Sequence, residues 1–286
     1  MRKFALLLLL LSFLFTVGCS NQQQAPDIAA TTLPVYEFTA LLCQNTDLTV
    51  GRLITESVSC LHDYSLRVSQ MRMIEAAQVL VISGGGLEDF LGDALSAATT
   101  VIDASCDVCM HHGEHHGDHH HEEDPHIWLS PENAKVMATN ICNGLSAKYP
   151  QHKEIFAQNL TLLLSELDAL QTYGQQELAT LTCREMVTFH DGFAYFAESF
   201  DLSILKAIEE ESGSEASAKE LKELIQLVQQ YKLPAIFTER NGSTSASGVV
   251  SAETGTAVFA LDMAMSGDSY FDAMYHNIGT VKEALG

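Results

Sequence analysis

The chain has 286 residues, of which 37 are acidic and 15 basic, so its formal net charge at neutral pH is −22. So acidic a protein repels polyanions, which argues against nucleic acid and anionic membrane surfaces as partners. The length suits one large or two modest domains with a real hydrophobic core.

The N-terminal residues have the order of a secretory signal. Arg2 and Lys3 precede an apolar run over residues 4–17, and small residues follow. The apolar run is too short for a comfortable transmembrane helix. We therefore predict a signal peptide over residues 1–18.

The cysteine behind this run points to a lipid anchor. Cys19 directly follows Gly18, as at a bacterial lipoprotein cleavage site, although Thr16 stands where such sites usually carry an aliphatic residue. We expect Cys19 to become the lipidated first residue and 19–26 to form a lipid-anchored tether. The alternative is an ordinary signal peptide with a chance cysteine.

Six further cysteines leave the redox chemistry open. An even number outside the cytoplasm permits disulfides, but fifteen pairings are possible. Cys106 and Cys109 lie beside a histidine-rich run and are candidates for binding a soft metal. A local disulfide or free thiols explain this pair equally well. The six are Cys43, Cys60, Cys106, Cys109, Cys142 and Cys183.

Strands and helices alternate along both halves of the chain, which predicts an α/β fold with mostly parallel sheets covered on both faces. In the first half the strand candidates are 28–32, 48–53, 79–83 and 101–104, and the helix candidates are 35–42, 70–77, 87–98 and 131–148. In the second half the strand candidates are 185–189, 203–208, 235–238 and 257–261, and the helix candidates are 192–200, 218–232 and 270–285.

A long helix is predicted between the halves. From about His152 to Leu181, apolar residues recur at three- and four-residue spacing, and a helix of roughly 30 residues spans about 45 Å. Gly174 is the weak point in its continuity. We predict an N-terminal lobe over 27–150, a linker helix over 151–181 and a C-terminal lobe over 182–286.

The most unusual segment is a histidine-rich loop over 110–124. It contains no apolar residue between His111 and Pro125, so we expect it to be mobile and to capture metal weakly at several sites. A tolerated solvated insertion is the alternative. The histidines in question are His111, His112, His115, His116, His119, His120 and His121.

Four other side chains are candidates for one metal site. His190 and Asp262 follow apolar strand runs, and His62 and His126 lie in loops of the first half. Ligands of parallel α/β sheets bind where loops leave the carboxyl ends of strands. Three neutral imidazoles and one carboxylate suit tetrahedral zinc, with Zn²⁺ as the expected ion.

Several segments resemble a known family, the zinc and manganese solute-binding proteins of ABC importers. The matching segments are Asp124-Pro-His-Ile-Trp-Leu-Ser-Pro131, Thr188-Phe-His-Asp-Gly-Phe-Ala-Tyr195, residues 210–219 and residues 253–262. The resemblance covers nearly all the chain beyond the signal, in the family's order. It implies two Rossmann-like lobes joined by one long rigid helix, with the metal at their interface.

The resemblance also implies a ligand set and a partner. The family's ligands fall on His62, His126, His190 and Asp262, and a histidine at the third place is similar to zinc members. The residues Cys60 and Leu61 before His62 depart from the family's pattern. The implied protein is a monomeric receptor that hands its ion to an ABC permease and catalyses no reaction.

Two neighbouring aspartates receive secondary interpretations. Asp191 is a candidate for orienting a metal-binding histidine, since such imidazoles usually donate their other N–H. Asp268 competes with Asp262 as a ligand but is better suited to the turn before the last helix.

Three alternatives stay open. A receptor of the same fold for Mn²⁺ or iron is the nearest, although His190 favours zinc over these harder ions. A zinc hydrolase needs an open metal position and a general base, and no His-Glu-x-x-His helix occurs. A histidine-rich adhesin or metal store is the third.

Overall fold

Short buried aliphatic runs form the two central strands of the first sheet, because helices cover both faces of a parallel sheet. The computed structural model describes residues 25–57, 61, 64–111, 123–208 and 216–286. The strands are β1 (Ile28–Ala30), β2 (Val50–Arg52), β3 (Val79–Ile82) and β4 (Val101–Asp103). They pair in parallel in the order β2-β1-β3-β4.

The second lobe repeats this arrangement. Its strands are β5 (Glu185–Thr188), β6 (Ser203–Ala207), β7 (Ala235–Glu239) and β8 (Ala257–Leu261). They are also parallel, in the order β6-β5-β7-β8. Both sheets therefore place the second strand outside the first and the third and fourth on its other side. The predicted α/β fold with two like parallel lobes is confirmed.

The helices follow the predicted positions closely. Polar caps fix several starts: Ser130 accepts a hydrogen bond from Asn133 N–H, and Ser217 forms a reciprocal capping box with Glu220. The helices are α1 (Leu33–Leu42), α2 (Val68–Ala76), α3 (Asp93–Ala97), α4 (Pro131–Lys148), α5 (Lys153–Glu177), α6 (Ala194–Ser199), α7 (Ala218–Tyr231), α8 (Ser245–Thr254) and α9 (Tyr270–Leu285).

One predicted helix is broken in two. Residues 87–98 form a 3₁₀ turn (Leu87–Leu91) and then the short α3, not a single helix. Gly92 separates them with a φ of 47°, a left-handed value that an α-helix does not contain. The prediction of one helix over 87–98 is therefore wrong.

Helix α5 bridges the lobes, as predicted. Its 25 residues span about 37 Å, less than expected mainly because the helix ends at Glu177 and not near Leu181. A 3₁₀ turn over Pro150–His152 precedes it. Near its start, Asn159 donates to the carbonyl of Leu42 in the first lobe at 2.8 Å. Near its end, Gly174 packs against the Phe200 ring of the second lobe. The helix runs unbroken through Gly174. The missing side chain of this glycine leaves room for the Phe200 ring.

One hydrophobic core extends through both lobes. Its buried members include Ile28 from the first sheet, Phe156 from α5, and Phe196 and Tyr270 from the second lobe. A smaller second core lies between β5, β7 and α7, around Leu224. Because the lobes share the larger core, a wide hinge rotation would expose apolar surface.

Among the helices that the structure describes, none is long and apolar enough to cross a membrane. The predicted signal peptide and Cys19 lie outside the described residues.

Candidate metal centre

The candidate site lies where strands of the second lobe end, facing the first lobe. His190 lies two residues beyond β5, Asp262 directly follows β8, and Glu239 is the last residue of β7. The first lobe contributes His126, which immediately precedes a 3₁₀ turn over Ile127–Leu129. The three side chains of the second lobe lie at the carboxyl ends of parallel strands, where ligands of such sheets usually bind.

Two of the predicted ligands meet across the lobes. The Nε2 atoms of His126 and His190 lie 3.5 Å apart, and the two rings are nearly perpendicular. Two nitrogens bound to one tetrahedral zinc ion, each at 2.0–2.1 Å, are separated by about 3.4 Å. The spacing of this pair therefore fits a single shared metal ion.

A carboxylate faces the other ring nitrogen of each histidine. His126 Nδ1 lies 2.8 Å from Asp124 Oδ1, and His190 Nδ1 lies 3.5 Å from Glu239 Oε2. The Asp124 carboxylate favours the His126 tautomer with the proton on Nδ1, which leaves the Nε2 lone pair for a metal. An ionised Glu239 would favour the same tautomer of His190.

Burial and hydrogen bonding oppose each other at Asp124. Burial raises its pKa, but the hydrogen bonds from the His126 ring and backbone outweigh this, and the pKa is lowered overall. Asp124 is therefore a stable carboxylate beside the ring. The sequence motif contained this residue but gave no sign of its role.

Glu239 is a second carboxyl group that the sequence analysis missed. Only 4% of the residue is exposed, and burial together with the charge of Asp262 raises its pKa to about 8. Its Oε1 atom is buried and has no hydrogen-bond partner among the described residues. A cation nearby would favour its ionised form. Its position could have indicated it from the sequence, because Glu239 lies at the carboxyl end of β7 just as Asp262 lies at the carboxyl end of β8.

Asp262 is held in place by its own loop. Its Oδ1 accepts from Ala264 N–H at 2.8 Å, and its backbone exchanges two hydrogen bonds with the Asn277 side chain. Its Oδ2 lies 3.1 Å from Nη1 of Arg240. In the described part of the chain, no three or more His, Cys, Asp or Glu side chains are grouped so as to hold a metal. The structure thus brings the histidines together and leaves Asp262 paired with Arg240.

Gly192 allows the two histidines to approach. A Cβ built there would lie 2.8 Å from a His190 ring carbon and 3.0 Å from His126 Nδ1. It would also lie 2.7 Å from the side chain of Met263, the neighbour of Asp262. The Met263 side chain and both imidazoles therefore all lie against Gly192.

The same loop is tied to the first lobe. Trp128, fully buried, donates from its indole to the Met263 carbonyl at 2.7 Å. Leu33 N–H donates to the Met265 carbonyl, and the Tyr270 hydroxyl donates back to the Trp128 carbonyl. The lobes therefore cannot separate at the site without breaking these hydrogen bonds.

The remaining predicted site residues divide into described and undescribed ones. His62 and Cys60 lie outside the described residues, as do six of the loop histidines, His112, His115, His116, His119, His120 and His121. His111 is described: its ring packs on Tyr195 and its Nε2 lies 2.9 Å from Glu198. Asp268 is exposed in the bend before α9, as expected for a turn residue.

The cysteines that the structure describes are free thiols. Cys106 and Cys109 are exposed, and Cys43 and Cys142 are buried. Burial raises the pKa of Cys43 to about 12, so it is an unreactive core residue.

Comparison with known proteins places this two-lobed α/β chain in a family. The family model described as "Zinc-uptake complex component A periplasmic" matches residues 28–284. The chain belongs to this family, which confirms the resemblance seen in the sequence.

Individual relatives agree. Zinc-binding lipoprotein AdcA of Streptococcus pneumoniae is 31% identical over 99% of this chain, and the match covers 61% of AdcA. The chain thus spans about three fifths of the length of that curated relative.

Solved structures share the fold. The crystal structure of ZnuA superposes with a TM-score of 0.79 at 26% identity, covering 91% of this chain and 99% of ZnuA. The Zn(II)-bound ZnuA-like domain of Streptococcus pneumoniae AdcA gives a TM-score of 0.77 at 27% identity, covering 91% and 98%.

Proposed function

We propose that this protein is an extracytoplasmic zinc receptor that delivers the ion to the permease of an ABC importer. The observation that supports it most is the inward-facing pair His126 and His190, each with a carboxyl group facing its Nδ1 atom. A longer relative that matches 99% of this chain is named a zinc-binding lipoprotein, and the AdcA domain of the same fold is a Zn(II)-bound structure. Anchoring through a lipid on Cys19 belongs to the proposal.

The proposed ligands are His62, His126, His190 and Asp262. The geometry of the histidine pair supports two of them directly. Asp262 precedes Met263, whose side chain lies against Gly192 together with both imidazoles, and its carboxylate would have to move away from Arg240 to bind the ion. A small rearrangement of loops, not a wide lobe closure, would complete the site.

The donor chemistry favours zinc over manganese. Three imidazoles and one carboxylate form a set that suits zinc, whereas Mn²⁺ prefers carboxylate and carbonyl oxygens. Glu239 faces His190 from behind and does not replace it as the inward-facing group. A competitive titration with Zn²⁺ and Mn²⁺ tests this preference.

We also propose that the protein is not an enzyme. A catalytic zinc keeps one position open for water, and four protein ligands would leave none. The carboxyl groups nearest the histidines, Asp124 and Glu239, face their Nδ1 atoms and not the point where a metal-bound water would sit. The two complete lobes likewise favour a transport receptor over an adhesin or metal store.

Zinc titration of single variants tests the site. Replacing His126 or His190 with alanine should weaken zinc binding at least about 100-fold in calorimetry on tag-free protein, because each loss removes an inward-facing nitrogen. His152→Ala, which removes the histidine of the 3₁₀ turn before α5 that lies beside Asp47, is the matched control. Unchanged tight binding in both site variants would refute the proposed centre.

The histidine-rich loop is proposed to capture zinc weakly. His111 at its root is docked on the second lobe, and Asp124 N–H donates to the His111 carbonyl, which closes the loop's base. Deleting residues 112–121 should therefore spare the tight site and remove several weak ones. Loss of tight binding in this deletion would contradict the ligand assignment.

A further inference from the structure

The proposed ligand Asp262 forms an ion pair with Arg240. Arg240 directly follows β7, and its backbone N–H donates to the Leu261 carbonyl at 2.8 Å, so its Cα is fixed beside the last strand. Its Nη1 lies 3.1 Å from Asp262 Oδ2. The ion pair therefore engages the one carboxylate oxygen that the loop backbone does not hold.

The two partners differ in freedom. The Asp262 side chain is 12% exposed, whereas that of Arg240 is 58% exposed. Arg240 lines an open polar cleft of about 540 Å³, and Asp268 and Asp272 line the same cleft. The guanidinium therefore has room to leave Asp262 and other carboxylates to pair with.

Arginine cannot share Asp262 with a metal as a fellow ligand. The guanidinium stays protonated and offers only N–H donors, so beside a dication it is a repelling charge. A metal bound to Asp262 Oδ2 therefore has to displace Arg240 or tolerate it at close range.

We propose that Arg240 competes with the bound metal for Asp262 and so limits how tightly and how long the receptor holds its ion. The inference rests on the proposed zinc function and identifies Arg240 as a residue that sets affinity and release. A receptor that must hand over its cargo gains from a protein cation that retakes the carboxylate as the metal leaves.

The test compares two replacements of Arg240 with a distant charge control. Arg240→Gln removes the charge and keeps most of the side-chain length, whereas Arg240→Lys keeps the charge. Lys219→Ala removes one positive charge from the exposed face of α7 and controls for net charge. Zinc affinity is measured by competition with a chromophoric chelator, and zinc dissociation by stopped flow.

Arg240→Gln should bind zinc roughly five- to tenfold more tightly, mainly through slower dissociation, because it loses the competing ion pair. Arg240→Lys should stay near the unaltered protein, and Lys219→Ala should not change. Equal or weaker zinc binding by Arg240→Gln would overturn the inference while leaving the zinc function intact. No zinc binding by the unaltered protein would instead refute the proposed function.

Discussion

His126 and His190 come from different lobes, yet their Nε2 atoms lie 3.5 Å apart. Neither lobe alone could hold the two imidazoles at this distance, because their approach depends on α5 and on the contacts that the loop after β8 makes with the first lobe. The site is thus a product of how the lobes pack. Its spacing is preset by a shared core and does not need a large closure.

The Asp124 carboxylate, which faces His126 Nδ1, should contribute to zinc affinity nearly as much as His126 itself. Asp124→Asn keeps the shape but removes the charge that holds the proton on His126 Nδ1. We expect zinc affinity to fall about 10- to 100-fold in calorimetry. Asp168→Asn, which alters an exposed ion pair of α5, is the control. An Asp124→Asn protein that binds zinc normally would remove the basis for this role.

The indole hydrogen bond of Trp128 should stabilise the joined lobes. Trp128→Phe keeps an aromatic ring but leaves the Met263 carbonyl without its donor. We expect a loss of about 1–3 kcal/mol in the free energy of unfolding and faster zinc release, measured by urea titration and stopped flow. Tyr231→Phe, on an exposed tyrosine of α7, is the control. An unchanged free energy of unfolding would show that the hydrogen bond is not needed.

Two helical glycines should respond oppositely to alanine. A Cβ at Gly174 would lie 2.2 Å from the Phe200 ring, whereas one at Gly279 in α9 meets nothing within 4 Å. Gly174→Ala should therefore lower the free energy of unfolding by about 1–3 kcal/mol through overpacking. Gly279→Ala should raise it by up to about 1 kcal/mol through helix propensity. Thermal and urea unfolding measure both, and stabilisation by Gly174→Ala would contradict the close packing of α5.

The buried Glu88 should make stability depend on pH. Burial raises its pKa to about 7 from an ordinary 4.5, although Thr31 and the N–H groups of Ser83 and Gly84 donate to its carboxyl group. Between these values the folded protein holds a proton that the unfolded chain has lost. The stabilisation that the protonated Glu88 gives the folded protein is therefore complete below about pH 4.5, and it is lost as the pH rises to about 7.

The size of this effect follows from linkage. Relative to Glu88→Gln, which cannot titrate, the unaltered protein should lose at most about 3 kcal/mol of unfolding free energy across that interval. Urea unfolding of both proteins at several pH values measures the difference, which also cancels other titrating groups. Parallel profiles for the two proteins would contradict a raised Glu88 pKa.

Local sequence signals predicted the elements well. The bounds of α4, β8 and α9 coincide with the predicted ones, because Pro131 marks one helix start and apolar periodicity marks the rest. Gly92 was missed because a single glycine inside a helical pattern is often tolerated. Its left-handed φ depends on the chain path around it.

The site was only partly predictable. The strand-end rule and the resemblance selected His126, His190 and Asp262 as candidates, and these stay predictions, but neither indicated the pairing of Asp262 with Arg240. That ion pair, like the bond from Trp128 to Met263, joins residues whose neighbourhood arises from tertiary packing and leaves no local pattern. The predicted strand ended at Thr238, whereas β7 ends at Glu239, so Glu239 was not recognised as a strand-end residue.

Anomalous scattering at the zinc edge, from crystals of tag-free protein grown with zinc, tests the central claim most directly. We predict one strong peak between the lobes, about 2.0–2.1 Å from both His126 Nε2 and His190 Nε2. A fully occupied peak elsewhere, with these two nitrogens not bound to it, would contradict the account.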